Sequence, residues 1–202
     1  MRFCEKVAEA AEGELRLEEL AFENESVEGI DLTRLRFDKV SFSGCRFRDC
    51  DFSFSRFTSV SFAGCDFSNC GFRKTGWSKC GLRASKGVGA DFSHSELKAV
   101  KIEASSFQLS NFCESSLSGC ELIETNFREA AISEARLKNI LLRENSFVGT
   151  EFFHTRLNGL DFSDSQLEGA VFSEGAPELR GAVVSALQAV ALAELVLKLR
   201  VK

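Results

Sequence analysis

The sequence contains no tyrosine, one tryptophan and one proline, although 20 of its 202 residues are phenylalanine. A buried tyrosine needs a hydrogen-bond partner for its hydroxyl group, whereas phenylalanine needs none. A chain that uses phenylalanine so heavily and excludes tyrosine is therefore expected to have a dry interior. The apolar content of 44% is sufficient for such a core in one folded unit.

Long hydrophobic runs are also missing. No segment approaches the roughly 20 apolar residues that a membrane-spanning helix requires. The N-terminus does not resemble an export signal, because Arg2 and Lys6 are interleaved with Glu5, Glu9 and Glu12. We therefore expect a soluble, cytoplasmic protein that makes no contact with a membrane.

The residue types that carry most enzyme chemistry are scarce or scattered. His94 and His154 are the only histidines, and neither has a sequence neighbour that suggests a catalytic triad. None of the usual zinc-ligand spacings is present, and no glycine-rich phosphate loop occurs. The sequence therefore predicts that the protein is not an enzyme, with no catalytic residue, no metal, no cofactor and no small-molecule substrate.

Eight cysteines would suggest a disulfide framework in a small secreted protein, but six of them occupy one position of a five-residue period. Other repeats have Ala, Ser, Thr or Val at this position, so it is interpreted as a buried slot for a small side chain. The slot thiols are expected to be reduced, and Cys113, outside the slot, is expected to be accessible. The slot cysteines are Cys45, Cys50, Cys65, Cys70, Cys80 and Cys120.

An apolar residue recurs at every fifth position from Leu17 to Phe172. Of these 32 positions, 31 are Phe, Leu, Ile, Val or Trp, and the exception is Gly87. This period matches neither the 3.6 residues per turn of an α-helix nor the two-residue alternation of a β-strand. It requires a chain that turns a corner every five residues and keeps the apolar residue inside.

Four such corners make a coil of about 20 residues, and successive coils then pair as in a parallel sheet, about 4.8 Å apart. The sequence therefore predicts an all-β solenoid, a quadrilateral β-helix of about eight coils, with a C-terminal α-helix. Central side chains one coil apart are expected to stack, as in Phe47 on Phe67. The predicted core stack consists of Phe47, Phe52, Phe67, Phe72, Phe92 and Phe112.

Individual repeats resemble the unit of the pentapeptide-repeat family, which reads Ala-Asp/Asn-Leu/Phe-x-x. Examples are residues 65–69 (Cys-Asp-Phe-Ser-Asn), 90–94 (Ala-Asp-Phe-Ser-His) and 160–164 (Leu-Asp-Phe-Ser-Asp). The resemblance covers about three-quarters of the chain and implies a right-handed coil. It says little about function, because one fold carries many functions.

The pattern divides the chain into an N-terminal cap (residues 1–16), the β-helix (17–184) and a C-terminal helix with its tail (185–202). Residues 83–89 contain two glycines and lose the central apolar residue. They form either one distorted face or a five-residue loop excluded from the coil. Ser185 and Gln188 have the spacing of a capping box, so a helix is predicted from about residue 186 to 196.

The predicted C-terminal helix is apolar on almost every side and must be covered. It either caps its own coil stack, as the ends of solenoids require, or forms a seam with a second copy in a two-fold homodimer. The residues predicted to form the dimer interface are Leu187, Val190, Ala191, Leu195 and Leu199.

The C-terminal segment is similar to the signature of the Qnr and MfpA-type quinolone-resistance proteins, a branch of the same family. The matching residues are Leu179, Gly181, Val184–Ser185, Gln188–Ala189 and Leu192. The resemblance implies a helix that joins two rods into a dimer, which binds DNA gyrase or topoisomerase IV in the place of DNA. The Leu-Gly pair that usually follows this helix is absent, since residues 196–198 read Val-Leu-Lys.

Charge is distributed unevenly along the sequence, whose formal net charge is −5. Residues 1–33 carry −7, residues 34–86 carry +7 and residues 87–172 carry −6. The acidic residues between positions 87 and 172 either replace DNA phosphates in a basic groove of a partner or only keep the rod soluble. The candidate partner-binding acids are Asp91, Glu96, Glu114, Glu121, Glu134, Glu151 and Asp161.

The sequence therefore favours a DNA mimic that binds a type II topoisomerase, with a link to quinolone resistance and no direct binding to nucleic acid. The alternative hypothesis is a stiff interaction scaffold for an unknown protein partner.

Overall fold

The computed structural model describes residues 3–13 and 15–197, which form a four-sided solenoid between two helices. Helix α1 (Phe3–Glu12) precedes the coils, a short 3₁₀ helix (Pro177–Leu179) follows them, and helix α2 (Ala186–Leu197) ends the described chain. The predicted all-β solenoid with a C-terminal helix is confirmed. The predicted interface residue Leu199 lies outside the described residues.

We number the four sides of the coil in chain order. Face 1 has its central inward residues at positions 17, 37, 57 and onward to 157, and face 2 has them at 22, 42, 62 and onward to 162. Face 3 runs from position 27 to 167 and face 4 from 32 to 172 in the same steps. Each strand is three residues long because a corner follows, and only its central side chain points inward.

Faces 1 and 2 each form a seven-stranded parallel sheet. The strands of face 1 are β1 (Arg16–Glu18), β4 (Arg36–Asp38), β7 (Arg56–Thr58), β9 (Gly76–Ser78), β11 (Glu96–Lys98), β13 (Ser116–Ser118) and β15 (Arg136–Lys138). The strands of face 2 are β2 (Ala21–Glu23), β5 (Ser41–Ser43), β8 (Ser61–Ala63), β10 (Gly81–Arg83), β12 (Lys101–Glu103), β14 (Glu121–Ile123) and β16 (Leu141–Arg143).

Faces 3 and 4 are held mainly by single parallel bridges. Face 3 begins with the strand pair β3 (Ser26–Glu28) and β6 (Arg46–Arg48) and then continues as isolated bridges. Face 4 contains isolated bridges alone in the described residues, such as Asp51 with Gly71. All four faces share one register, in which residue i pairs with residue i+20.

The two long sheets correspond to about six turns of paired strands, fewer than the eight coils predicted. Beyond Arg143 the 20-residue register continues only through isolated bridges, as between Glu151 and Val171. The next bridge on face 2 joins Asp161 to Val183, 22 residues apart. A two-residue insertion therefore ends the regular register, as the spacing between Phe172 and Leu179 indicates in the sequence.

The core consists of columns of aromatic rings that run along the rod. On face 4, the ring of Phe72 stacks between Phe52 and Phe92 at centroid distances of 4.8 and 4.7 Å, and Phe112 continues the column at 4.9 Å from Phe92. The ring of Phe47 instead contacts Phe3 and the neighbouring faces, and its expected stacking on Phe67 is not among the ring contacts. Offset aromatic pairs of this kind add stability beyond the burial of apolar area.

Helix α1 closes the N-terminal end of the core. Phe3 is fully buried, and its ring lies edge-on against Phe22, Phe42 and Phe47 at 5.0, 5.7 and 5.7 Å. Because Phe3 inserts there, it covers rings that the first coil would otherwise leave open to water. This is the covered end that a solenoid requires.

The slot cysteines line the interior as free thiols. All six are buried, and their sulfur atoms contact backbone carbonyls, as from Cys65 Sγ to the oxygen of Phe42 at 3.4 Å. Burial raises the pKa of the Cys80 and Cys120 thiols, which keeps them protonated. Cys113 is partly exposed, and Cys4 on α1 is exposed as well.

Gly87 occupies the centre of an intact face 3. The bridges from Asp66 to Lys86 and from Lys86 to Ser106 keep the 20-residue register, so no loop is excluded from residues 83–89. A Cβ atom on Gly87 would lie 2.7 Å from Phe67 Cε2 and 2.8 Å from Phe107 Cε1. The rings from the coils above and below therefore fill the space that a central side chain takes elsewhere.

We predict that Gly87→Ala destabilises the rod by about 1–3 kcal/mol, because the added methyl group overpacks two buried rings. Gly81→Ala is the matched control, since a Cβ at this strand position of face 2 meets nothing within 4 Å. Urea denaturation followed by circular dichroism measures both changes. Equal midpoints for the two variants would contradict this packing.

Candidate protein-interaction surfaces

The C-terminal end of the rod is organised around one buried carboxylate, Glu178. It follows Pro177 in the 3₁₀ helix, and only 4% of its surface is exposed. Its oxygens accept hydrogen bonds from the backbone N–H of His154 (2.9 Å), the backbone N–H of Ser173 and the Ser173 hydroxyl. Glu178 thus replaces a backbone carbonyl that the insertion removes from the regular ladder.

The hydrogen bonds also determine the direction in which the pKa of the Glu178 carboxyl shifts. Burial by itself raises the pKa of the carboxyl, but the donors from Ser173 and His154 outweigh it, and the pKa lies below its usual value. Glu178 is not among the residues that the sequence predicts to be functional. The signal available was an acid placed directly after the only proline, where the five-residue period fails.

Helix α2 starts at the predicted capping box. The backbone N–H of Ser185 donates to Gln188 Oε1 at 2.7 Å, and the N–H of Gln188 donates to Ser185 Oγ at 3.3 Å. The side-chain amide of Gln188 also donates to the carbonyls of Phe162 (2.8 Å) and Ser165 (2.6 Å). The same residue therefore caps the helix and attaches it to the last coil.

One side of α2 is largely apolar and open to solvent, with Glu194 as its acidic residue. Leu187 is 85% exposed, Leu195 is 56% exposed and Val190 is 44% exposed, and Ala191 is exposed between them. The helix therefore covers the rod end only in part. Four of the five residues predicted for the dimer interface lie on its uncovered side.

The seven candidate acids do not form one surface. Four of them lie on face 4, two on face 2 and one on face 1, because the 20-residue coil distributes neighbours in sequence around the rod. Face 4 carries Asp91, Glu114, Glu134 and Glu151, face 2 carries Glu121 and Asp161, and face 1 carries Glu96.

Two of these acids also hold corners of the coil. Asp91 Oδ1 accepts the backbone N–H of Ser93 at 3.0 Å, and Asp161 Oδ1 accepts that of Ser163 at 2.9 Å. The hydroxyl group and the backbone N–H of Ser163 lower the pKa of Asp161. Both aspartates therefore have a structural role. Replacing either one by lysine would remove a corner hydrogen bond together with the negative charge, so the two effects could not be separated.

Face 4 has the most uniform charge in the distal half of the rod. Its pentads between residues 90 and 174 contain five acids and no lysine or arginine. Glu114 lies 3.2 Å from His94 Nδ1, whereas Glu134 and Glu151 are exposed and form no salt bridge with a described residue. This face is the candidate binding surface for a basic partner.

Face 1 has the opposite sign, although the whole chain is acidic. Its eight pentads contain nine basic and four acidic residues, a charge of +5. The aligned residues Arg36 and Arg56 form no salt bridge with a described residue, and together with Arg34 they line a shallow groove. Charge that is grouped into segments along the sequence thus appears in the folded chain as a difference in net charge between faces.

The part of the chain that the structure describes, residues 3–13 and 15–197, contains no group of three or more His, Cys, Asp or Glu side chains placed to hold a metal ion. It also contains no helix with the length and apolar character needed to cross a bilayer.

Comparison with known families matches this architecture. The model of pentapeptide repeats (eight copies) matches residues 26–53, 36–73 and 105–144, and the model of the pentapeptide repeat region matches residues 55–122. The chain belongs to the pentapeptide-repeat family. A comparison with curated proteins returned no match.

The fold is shared with a solved structure of a fluoroquinolone resistance protein. A trypsin-treated form of QnrB1, a plasmid-mediated fluoroquinolone resistance protein, is 20% identical with a TM-score of 0.59, over 90% of this chain and 100% of that one. A second trypsin-treated form is 18% identical with a TM-score of 0.48, over 93% and 97%. HetL of Nostoc sp. strain PCC 7120 is 12% identical with a TM-score of 0.34, over 91% and 94%.

We predict that Glu178→Gln destabilises the C-terminal end by about 1–2 kcal/mol at neutral pH, because charge-assisted hydrogen bonds are lost. The folded pKa lies below the unfolded value of about 4.3, so the stabilisation is present above that value and is lost as the pH falls through the folded pKa. Denaturation of both proteins at pH 7 and pH 3 measures this. A stability difference that does not change with pH would contradict the assignment.

Proposed function

We propose that the protein binds a type II topoisomerase, DNA gyrase or topoisomerase IV, in the place of DNA. The observation that carries this proposal is the distal part of face 4, where Glu114, Glu134 and Glu151 lie with no lysine or arginine among them. A basic groove that accepts duplex DNA would meet carboxylates there instead of phosphates.

The acids repeat along the rod. Coils follow each other at about 4.8 Å, a wider spacing than the roughly 3.4 Å between phosphates of one DNA strand along the helix axis. Glu114 and Glu134 occupy equivalent positions on successive coils, so their carboxylates form a line along the rod. The backbone that carries the line is fixed by the 20-residue register, as in the bridges from Asn111 to Ala131 and from Ala131 to Glu151.

The exposed side of α2 supports a homodimer. Leu187, Val190 and Leu195 expose apolar area that a second copy would bury across a two-fold axis. Joining two rods at this end would bring two acidic halves together. Two linked surfaces bind an extended groove more tightly than one.

A second candidate function is a scaffold for another protein. The basic charge of face 1 favours it, because DNA has no basic side. In that case face 1 and face 4 would bind partners of opposite charge. Quinolone resistance is part of the first proposal only, because it requires action on a topoisomerase.

The first experiment is a gyrase supercoiling assay with the wild-type protein and with Glu134→Lys/Glu151→Lys. We expect the wild type to inhibit supercoiling and the variant to require about tenfold more protein at low salt, with a smaller difference at high salt. The matched control reverses two exposed acids of face 2, Glu121→Lys/Glu144→Lys, and is expected to inhibit like the wild type.

The same assay tests the dimer with Leu187→Glu, which places a charge on the apolar side of α2, and with Ala186→Glu as its control at the helix start. Sedimentation should show that only Leu187→Glu is monomeric, and its inhibition should fall. A wild-type protein without effect on gyrase or topoisomerase IV would refute the first proposal and leave the scaffold.

A further inference from the structure

The corner between face 4 and face 1 carries a ladder of large side chains. Each member has a left-handed backbone conformation with φ between 55° and 65°. The N–H of every member except His154 donates to a carbonyl of the next coil, as from Lys74 to Ser93 at 3.0 Å, and the N–H of His154 donates to Glu178. The ladder therefore has one side chain per coil, about 4.8 Å apart. Its members are Arg34, Phe54, Lys74, His94, Glu114, Glu134 and His154.

The ladder separates charge by sign along the rod. Its first half holds two cations, Arg34 and Lys74, which lie 5.6 and 5.7 Å from the ring of Phe54. Its second half places Glu114 beside Glu134 on the next coil, and like charges at such positions repel. The side chains of Arg34, Lys74 and Glu134 form no salt bridge with a described residue.

When two copies of the ladder run antiparallel, basic members of one copy face acidic members of the other. A two-fold axis between the coils of His94 and Glu114 would bring Lys74 opposite Glu134 of a second copy, and His94 opposite Glu114. The next step outward brings Phe54 opposite His154. Each pair occurs twice in such a dimer, because the axis exchanges the two copies.

The middle of face 4 is flat enough for this approach. Near the proposed axis most positions hold small side chains, among them Gly71, Ala131 and Cys113, and Ser93 is buried. The large exception is Arg73, which lies 3.8 Å from Asp91 and which the axis would bring opposite Ser133. The axis would bring Gly71 opposite Ala131, Asp91 opposite Asn111 and Ser93 opposite Cys113. None of these pairs combines two like charges or two large side chains.

We propose that face 4 is also a self-association surface, on which two copies of this chain pack antiparallel about an axis between His94 and Glu114. The complementary region extends over the central coils and ends where Asp51 would meet Glu151, two like charges. It is therefore small, and the association is weak and sensitive to salt. This contact is separate from the proposed dimer through α2.

The self-associated form would cover Glu114 and Glu134, two of the acids in the proposed topoisomerase surface. Self-association and partner binding then compete for face 4. At high protein concentration and low salt, a second copy covers part of the binding surface, and a basic partner cannot bind there.

The test uses full-length protein and measures association by sedimentation at low salt. Lys74→Glu and Glu134→Lys alone should each weaken association by about tenfold, because each change makes two facing pairs repulsive. The double variant should restore association. A mixture of the two single variants should also restore it, because both pairs become attractive in the mixed dimer.

Contacts through α2 are identical in all these samples, so they cancel in the comparison. Lys98→Glu, an exposed lysine on face 1, is the control and is expected to associate like the wild type. The proposal is wrong if the wild type shows no salt-sensitive association, or if the double variant and the mixture behave like the single variants. Lys74→Glu leaves every acid of face 4 in place, so gyrase inhibition by this variant reports separately on the proposed function.

Discussion

The parallel register that pairs residue i with residue i+20 is the constraint on which the rest of this structure depends. Its hydrogen bonds fix the distance between coils, so a side chain on one coil lies directly over its equivalent on the next. In the interior this produces ring columns such as Phe52, Phe72 and Phe92, whose planes lie within 4° of parallel. On the surface it produces ladders. In a ladder each side chain lies beside the equivalent side chain one coil away, whereas the side chain of the next residue in sequence points in another direction.

The surface ladders explain why charge is a property of faces in this protein. The sequence suggests one acidic half and one basic block, but the coil distributes both around the rod. Face 1 has a charge of +5, and the distal part of face 4 carries acids and no lysine or arginine. The net charge that a partner meets therefore depends on the side from which it approaches, although the chain as a whole carries −5.

Much of the fold could be predicted from the sequence because its determinant is periodic. The five-residue recurrence identifies the inward positions, and Ser185 with Gln188 identifies the start of α2. The sequence could not decide what replaces the missing side chain at Gly87, because the answer depends on how Phe67 and Phe107 fill the space. It also could not assign acids to faces, which required the register, or detect Glu178, whose partners His154 and Ser173 meet it only in the folded chain. The length of the regular ladder was overestimated, because apolar positions persist to Phe172 while regular strand pairing ends at Arg143.

The central claim is that the acids of face 4, rather than acidity in general, meet the partner. Site-specific photo-cross-linking tests it most directly, with the reactive group placed at Ala131 on face 4 or at Ser116 on face 1. Both positions precede an inward residue, lie on the same coil and are half-buried. The account predicts cross-links to gyrase or topoisomerase IV from residue 131 and none from residue 116. Cross-links from residue 116 alone, or equal yields from both, would contradict it.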